Sequence, residues 1–258
     1  MVAVDSLDSI VAGLKSPPPM ASIFRGPQQG HFAMNKMTVS TWLLVSPRGP
    51  VTCAHDGADE RIHLRQGGLD GACGPYSVVM ALITLGVLRY SEATNMYKWD
   101  GRSREGRFRD ELKNFGALVS EGTNGHALVK LADVFKSQDV SAEYLRGSKK
   151  DIVETVKEAI DHCNAPIIGV AWAGGSGHWM MVVGYQGYED DGQFQLTHLL
   201  CLDPASETPK TSLWNAVISV YEDDGKSVGS GPLPSIYWGQ DGVDSSCRID
   251  DAVIIYKI

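Results

Sequence analysis

Residues 75–85, Pro-Tyr-Ser-Val-Val-Met-Ala-Leu-Ile-Thr-Leu, are apolar on nearly every side of a helical wheel. A helix with no polar face has to be enclosed by other elements. At eleven residues it falls far short of the ~20 needed to span a bilayer. Pro75 suits the first turn, and Gly86 suits the position just past the end. The run therefore predicts a buried central helix, with Cys73 at its mouth. A chain of 258 residues, 43% hydrophobic, can supply the core to enclose it. This argues against wholesale disorder, a collagen-like chain or a small disulfide scaffold.

The remaining patterns describe what does the enclosing. Residues 1–35, with Pro17-Pro18-Pro19, read as a peripheral N-terminal extension, and 36–258 as the main domain. Met37 to Val45 and Arg61 to Arg65 predict short strands, with a loop over 46–60. Short helices are predicted near Ser91 to Trp99, Phe108 to Val119 and Gly122 to Gln138. A short strand follows at Ser141 to Leu145. Ser148-Lys149-Lys150-Asp151 resembles a capping box, followed by the apolar face Ile152, Val153, Val156, Ala159 and Ile160. From Pro166 the pattern turns to β. Ile167 to Trp172 and His178 to Tyr185 flank a Gly-rich hairpin loop at 173–177. Phe194 to Leu202, Val217 to Tyr221 and Ala252 to Tyr256 complete the set. Tyr-Glu-Asp-Asp-Gly occurs twice, at 188–192 and 221–225, and reads as two Asp-Gly turns. Helices first and antiparallel strands later make an α+β domain, with the helices on one side of a sheet.

Charge and cysteine usage narrow the partners. A net charge of −8 argues against nucleic acid as the main partner. No apolar run is long enough for a membrane span, and the acidic start does not read as a signal peptide. Cys53, Cys73, Cys163, Cys201 and Cys247 are odd in number and scattered, as free thiols in a reducing compartment are. The location expected is the cytoplasm, or export as an effector without a Sec signal.

Three residues carry a chemical pattern together. Cys73, at a helix N-terminus, meets the positive end of the helix dipole and unpaired N–H groups, which favour a thiolate. His178 follows the Gly-rich turn and opens an apolar strand. Asp203 ends the next strand, in Leu202-Asp203-Pro204. Nucleophile, base and orienting carboxylate are the parts of a covalent hydrolase. Gly74, through which a substrate would approach the backbone, and Trp179 are candidate substrate-binding neighbours.

These residues resemble the papain-like cysteine peptidases, most closely the C39-like branch of bacteriocin-processing peptidase domains. The resemblance rests on Gln66, on Cys73-Gly74-Pro75 with its apolar helix, on Gly177-His178-Trp179 with its apolar strand, and on Leu202-Asp203-Pro204. It spans about residues 60–258. It implies a helix bearing the cysteine packed on an antiparallel sheet bearing the histidine and aspartate, with enlarged loops. It implies Cys73 as nucleophile, His178 as base and acid, and Asp203 as orienter. Gln66 would match the family's oxyanion-hole glutamine, sharing that role with the Cys73 N–H. The chain departs from the pattern in three ways. Gln66 lies seven residues before Cys73, one more than usual; Ala72 stands where the C39-like branch often has Asp; and papain's Cys-Gly-Ser-Cys-Trp is absent.

Weaker constellations were weighed against these. Cys53, His55 and His63 with Cys73 fit no standard zinc spacing, so no metal or other cofactor is expected. His126 and His162 read as surface or helix-end residues. Arg102, Arg104, Arg107 and Arg109 read as a solvated face, with an acidic substrate segment as the alternative. The function expected is a cysteine peptidase acting on a peptide or protein through a Cys73 thioester. A deamidase, isopeptidase or acyltransferase of the toxin or effector type is the alternative. A non-catalytic peptide-binding domain comes third. The sequence sets no oligomeric state.

Overall fold

The computed structural model describes residues 34–55, 57–67, 71–114 and 122–258. The proposed extension at 1–35 thus lies almost wholly outside the described residues, as does the end of the helix expected over 108–119. Ala33–Ile258 forms one unit by its internal contacts.

Met37 to Val45 is not one strand. It is split into β1 (Met34–Val39) and β2 (Leu43–Ser46), which belong to different sheets. The loop expected over 46–60 contains β3 (Gly49–His55) and β4 (Ala58–Arg61), antiparallel to β2 in a three-stranded sheet. Gly49-Pro50 looks like a strand breaker, but Gly49 takes a φ of 103° to close the turn and Pro50 opens the strand. Only Arg61 of the strand expected at 61–65 is in one.

The apolar run forms α1 (Cys73–Thr84), in which every residue but Tyr76 is buried. The helix starts at Cys73 itself, so the thiol is on its first residue. It ends at Gly86, whose φ of 69° is the left-handed conformation a glycine adopts freely. Each fully buried Val, Leu, Ile or Met contributes about 1.5–3 kcal/mol, so this helix anchors the core.

α2 (Tyr90–Thr94), α3 (Arg104–Asn114) and α4 (Gly125–Asp133) follow, the last capped by Asn124 Oδ1 accepting from the Ala127 N–H at 3.0 Å. The helix expected from 122 to 138 is therefore α4 and a short 3-10 turn at Lys136–Gln138. β5 (Val140–Arg146) leads to α5 (Lys149–Asp161). There Ser148 caps by accepting from the Asp151 N–H at 3.2 Å, as its sequence suggests.

The strands β6 (Ala165–Trp172), β7 (Gly177–Asp190), β8 (Gln193–Leu202), β9 (Ala216–Ser219), β10 (Ser235–Gly239) and β11 (Asp244–Lys257) are all antiparallel. They close on themselves in the order β7-β6-β11-β10-β9-β8, with β8 returning to β7. β7 and β11, fourteen residues each, also take β1 and β5. Asp191-Gly192, both at positive φ, turns β7 into β8. The second Tyr-Glu-Asp-Asp-Gly makes a turn closed by an isolated bridge from Tyr221 to Ser227.

The helices cover both faces of this sheet, contrary to the expected single side. Residues alternate between faces along a strand. Ile167, Met181, Val183, Val253 and Ile255 pack with α1 and α4, whereas Ile168, Val170, Met180, Val182, Ala252 and Ile254 pack with α5. No helix among the described residues is long and apolar enough to cross a membrane.

Candidate active site

Three elements bring Cys73, His178 and Asp203 together. Cys73 is the first residue of α1, His178 the second of β7, and Asp203 follows the last residue of β8. The pairing of Met181 with Leu202 sets the end of β8 beside the start of β7. Trp179 fastens β7 to the helix, because its N–H points at Cys73 Sγ (3.4 Å) and its carbonyl accepts from Ser77 Oγ (3.2 Å), one turn further along α1.

His178 Nε2 lies 2.6 Å from Asp203 Oδ1. A nitrogen facing a carboxylate carries the proton, which leaves Nδ1 for the hydrogen bond between His178 and Cys73. Burial alone would push the Cys73 thiol up. The hydrogen bond and charge of His178, with the Trp179 and Gly74 amides, outweigh it and hold the thiol below its usual value. Burial would likewise lower His178, but Asp203 and Cys73 raise it to about 9. Both shifts favour a thiolate beside an imidazolium. The other buried thiols go the opposite way: burial raises Cys201 well above its usual value and Cys247 to about 11.

Asp203 is nearly inaccessible, and every polar atom of it is bonded. Oδ1 also accepts from the Ala205 N–H (2.7 Å), and Oδ2 accepts from the Tyr237 hydroxyl (2.7 Å). Burial works against its ionisation, but these donors and His178 keep the carboxyl below the usual range. Its N–H donates to Asn215 Oδ1 (2.6 Å), and its carbonyl accepts from Asn215 Nδ2 (2.9 Å) and from His63 Nε2 (3.0 Å). Burial keeps His63 neutral, so its Nδ1 accepts from the Thr208 hydroxyl (2.9 Å). Trp172 stands 5.9 Å, centroid to centroid, from both His178 and Tyr237 and walls off that side of the imidazole.

Sequence reasoning missed Tyr237, Trp172 and Asn215 and assigned His63 no place at the site. Both His63 ring nitrogens are engaged in holding the Asp203 turn, and Cys53 Sγ points at the Trp42 carbonyl (3.6 Å). The His55 side chain lies outside the described residues. Among the described residues no cluster of His, Cys, Asp and Glu could hold a metal. The available sequence signal for these supporting residues was His63, a histidine flanked by the apolar Ile62 and Leu64.

Gln66 is not joined by a hydrogen bond to Cys73 or His178 among the described residues. Its N–H donates to the Pro204 carbonyl (2.8 Å), beside Asp203, while its buried Oε1 has no hydrogen-bond partner among the described residues. Residues 68–70, between Gln66 and Cys73, lie outside the described residues. Gly74 is a packing glycine. The place of a side chain there is taken by Thr123 Oγ1, Leu128 and Trp179, so no substrate approaches through it. Trp179 is buried, with its indole N–H on the Thr123 carbonyl (2.7 Å).

A cleft of about 600 Å³ opens at Cys73, His178 and Trp179 and runs toward Arg146, Arg248 and Asp251. The arginine run lies elsewhere and is partly committed. Arg104 pairs with Glu92 and Glu105, and Arg109 binds Asp110 and the Trp99 carbonyl. His126 is exposed, its ring edge-on to Tyr144, and the His162 ring bonds the Glu158 carbonyl at the end of α5.

No family model matches the chain, and no curated protein matches it. A solved structure described as the crystal structure of UfSP from C.elegans is similar over 86% of this chain and 36% of that one, at 12% identity and a TM-score of 0.34. The chain thus spans little more than a third of that neighbour's length, and a likeness at that score carries no argument.

Proposed function

We propose that this protein is a papain-like cysteine hydrolase of the C39-like type, acting on a peptide or protein. The observation that carries the reading is the buried chain Cys73–His178–Asp203, with the thiol held low and the imidazole held high. The Cys73 thiolate attacks the scissile carbonyl carbon. The developing oxyanion sits at the N-terminus of α1, where the Cys73 N–H is a donor and the helix dipole is favourable. Gln66 supplies a second donor from its side chain. His178 passes the Nδ1 proton to the leaving amine, and a thioester remains on Cys73. The neutral imidazole then takes a proton from water, whose oxygen attacks the thioester and releases the acid. Asp203 keeps Nε2 protonated throughout and stabilises each imidazolium.

The test is alkylation of the native protein by iodoacetamide at pH 7, followed by incubation of wild type and Cys73→Ala with protein substrates. Cys73 should react at least ~10-fold before the other four thiols, since only a thiolate attacks. New termini should appear with wild type and not with Cys73→Ala. A one-dalton gain on Gln or Asn without new termini would replace peptidase by deamidase. Equal alkylation of all five thiols would remove the thiolate and the reading with it.

A further inference from the structure

The cleft floor is one cross-strand row. Trp179 on β7 faces Gly169 on β6, Gly169 faces Asp251 on β11, and Asp251 faces Arg146 on β5. Cross-strand partners share a sheet face. This one carries the Cys73 helix. β11 bulges at Asp250, which sets Asp251 rather than its neighbour opposite Gly169. Gly169 makes room in the row for the Asp251 carboxylate: its Oδ1 takes the place a side chain at Gly169 would occupy, with the Trp179 ring within 3.1 Å of the same place. The carboxylate therefore lies over Gly169, on the side of the tryptophan fastened to Cys73.

That carboxylate is half satisfied. Asp251 Oδ2 accepts from the Tyr144 hydroxyl (2.7 Å), while Oδ1, over Gly169, has no hydrogen-bond partner among the described residues. The cations nearby form no ion pair with it among the described residues, and Arg146 acts on it only through its charge at a distance. Arg248 is paired with Asp250 (2.7 Å), and the exposed Arg146 forms no ion pair with Asp251 among the described residues. Burial holds the Asp251 carboxyl above the usual range, a cost that a cationic donor from outside relieves. Adjacent strands are ~4.8 Å apart, so Asp251 lies about 10 Å from the β7 backbone, or roughly three residues of extended peptide at ~3.3 Å each. A lysine or arginine side chain suits such a reach, with an apolar stem along the cleft and a charged head at Oδ1.

We propose that Asp251, held by Tyr144, is a specificity-determining residue that takes a lysine or arginine side chain of the substrate within about three residues of the bond Cys73 attacks. This rests on the hydrolase reading above for the bond, though not for the binding. The test uses the full chain carrying Cys73→Ala and fluorescent acetylated hexapeptide pools, each fixed at one position as Lys, Arg, norleucine or Glu. At one position the Lys or Arg pool should bind about 10-fold more tightly than norleucine. Adding Asp251→Asn, which can still accept from Tyr144, should erase the difference, and adding Glu143→Gln on β5 should not. Melting curves establish that each variant is folded, and Tyr144→Phe, which frees the carboxylate to swing, should reduce the preference in part. Pools that bind alike at every position, including pools that do not bind, overturn the proposal, as does a preference that survives Asp251→Asn. Wild-type protein incubated with the same pools separates the two readings. Preferential binding without cleavage or modification sinks the hydrolase and leaves the subsite standing.

Discussion

Asp203 Oδ1 takes donors from the His178 ring and the Ala205 amide, and Oδ2 takes a third from Tyr237. Asp203→Asn keeps the shape and removes the charge that holds His178 up at about 9. The proton on His178 is needed for the leaving group, so turnover should fall on the alkaline side near pH 9. In Asp203→Asn that limb should move down toward the ordinary histidine range. kcat should drop ten- to a hundredfold, or ~1.4–2.7 kcal/mol. A pH–rate profile reads both, and an unmoved limb would show that Asp203 does not set the imidazole. Tyr237→Phe removes one donor and no charge. It should cost about one hydrogen bond, ~1 kcal/mol or fivefold in kcat, without lowering the limb. Gln66→Ala should lower kcat with little change in KM if the side chain serves the oxyanion, since that contact is made in the transition state. An unchanged kcat would limit Gln66 to its backbone bond with Pro204.

α1 is held to β7 through Cys73 and Ser77 and to α4 through Gly74, whose missing side chain admits Thr123 and Leu128. Gly74→Ala should therefore force the two helices apart. Overpacking of this kind costs ~1–3 kcal/mol. Melting temperature and Cys73 alkylation rate should fall together; an unaffected melt would mean that the Thr123 side chain can turn away freely. α1 and α5 were legible in the sequence because caps and 3.6-residue spacing are local signals. Cys73, His178 and Asp203 were legible for a similar reason, since each punctuates an apolar run. β3 and β4 were not, because Gly49-Pro50 reads as a turn until its partner strands are known. β10 and the first half of β11 were also missed. Asp244 to Asp251 is mostly polar, with Arg248, Asp250 and Asp251 bordering the cleft, and Ser235 to Gly239 owes its place to strands on either side. Tyr237 and Asp251 sit in those two stretches, so the supporting and lining residues were hidden with the strands that carry them.

Across the whole molecule, the cleft is lined from α1, β5, β6, β7 and β11, the end of β8 and β10 back it with Asp203 and Tyr237, and the closed strand order brings β6, β7, β8, β10 and β11 together. β11 pairs with β10, β6 and β5 at once. Removing residues 244–258 should abolish cooperative melting altogether, not merely activity; a truncated chain that still melts sharply would mean the ring closes without β11. The five thiols are spread through the same architecture. Cys73 packs on the face bearing α1 and α4, and Cys201 and Cys247 lie in the cluster on the face bearing α5. Cys53 is in the small sheet and Cys163 follows α5, beside Thr41. A thiolate of the kind proposed for Cys73 is oxidised first to a sulfenic acid, which a neighbouring thiol ordinarily rescues as a disulfide. Here Cys201 and Cys247 pack on the other face, while Cys53 Sγ faces the Trp42 carbonyl and Cys163 Sγ faces Thr41, so no other thiol is engaged with Cys73 to resolve its sulfenic acid. Recovery depends on small thiols from solution, and without them oxidation proceeds to the irreversible sulfinic state. The placement of the cysteines thus ties the working life of the protein to the reducing power of its surroundings.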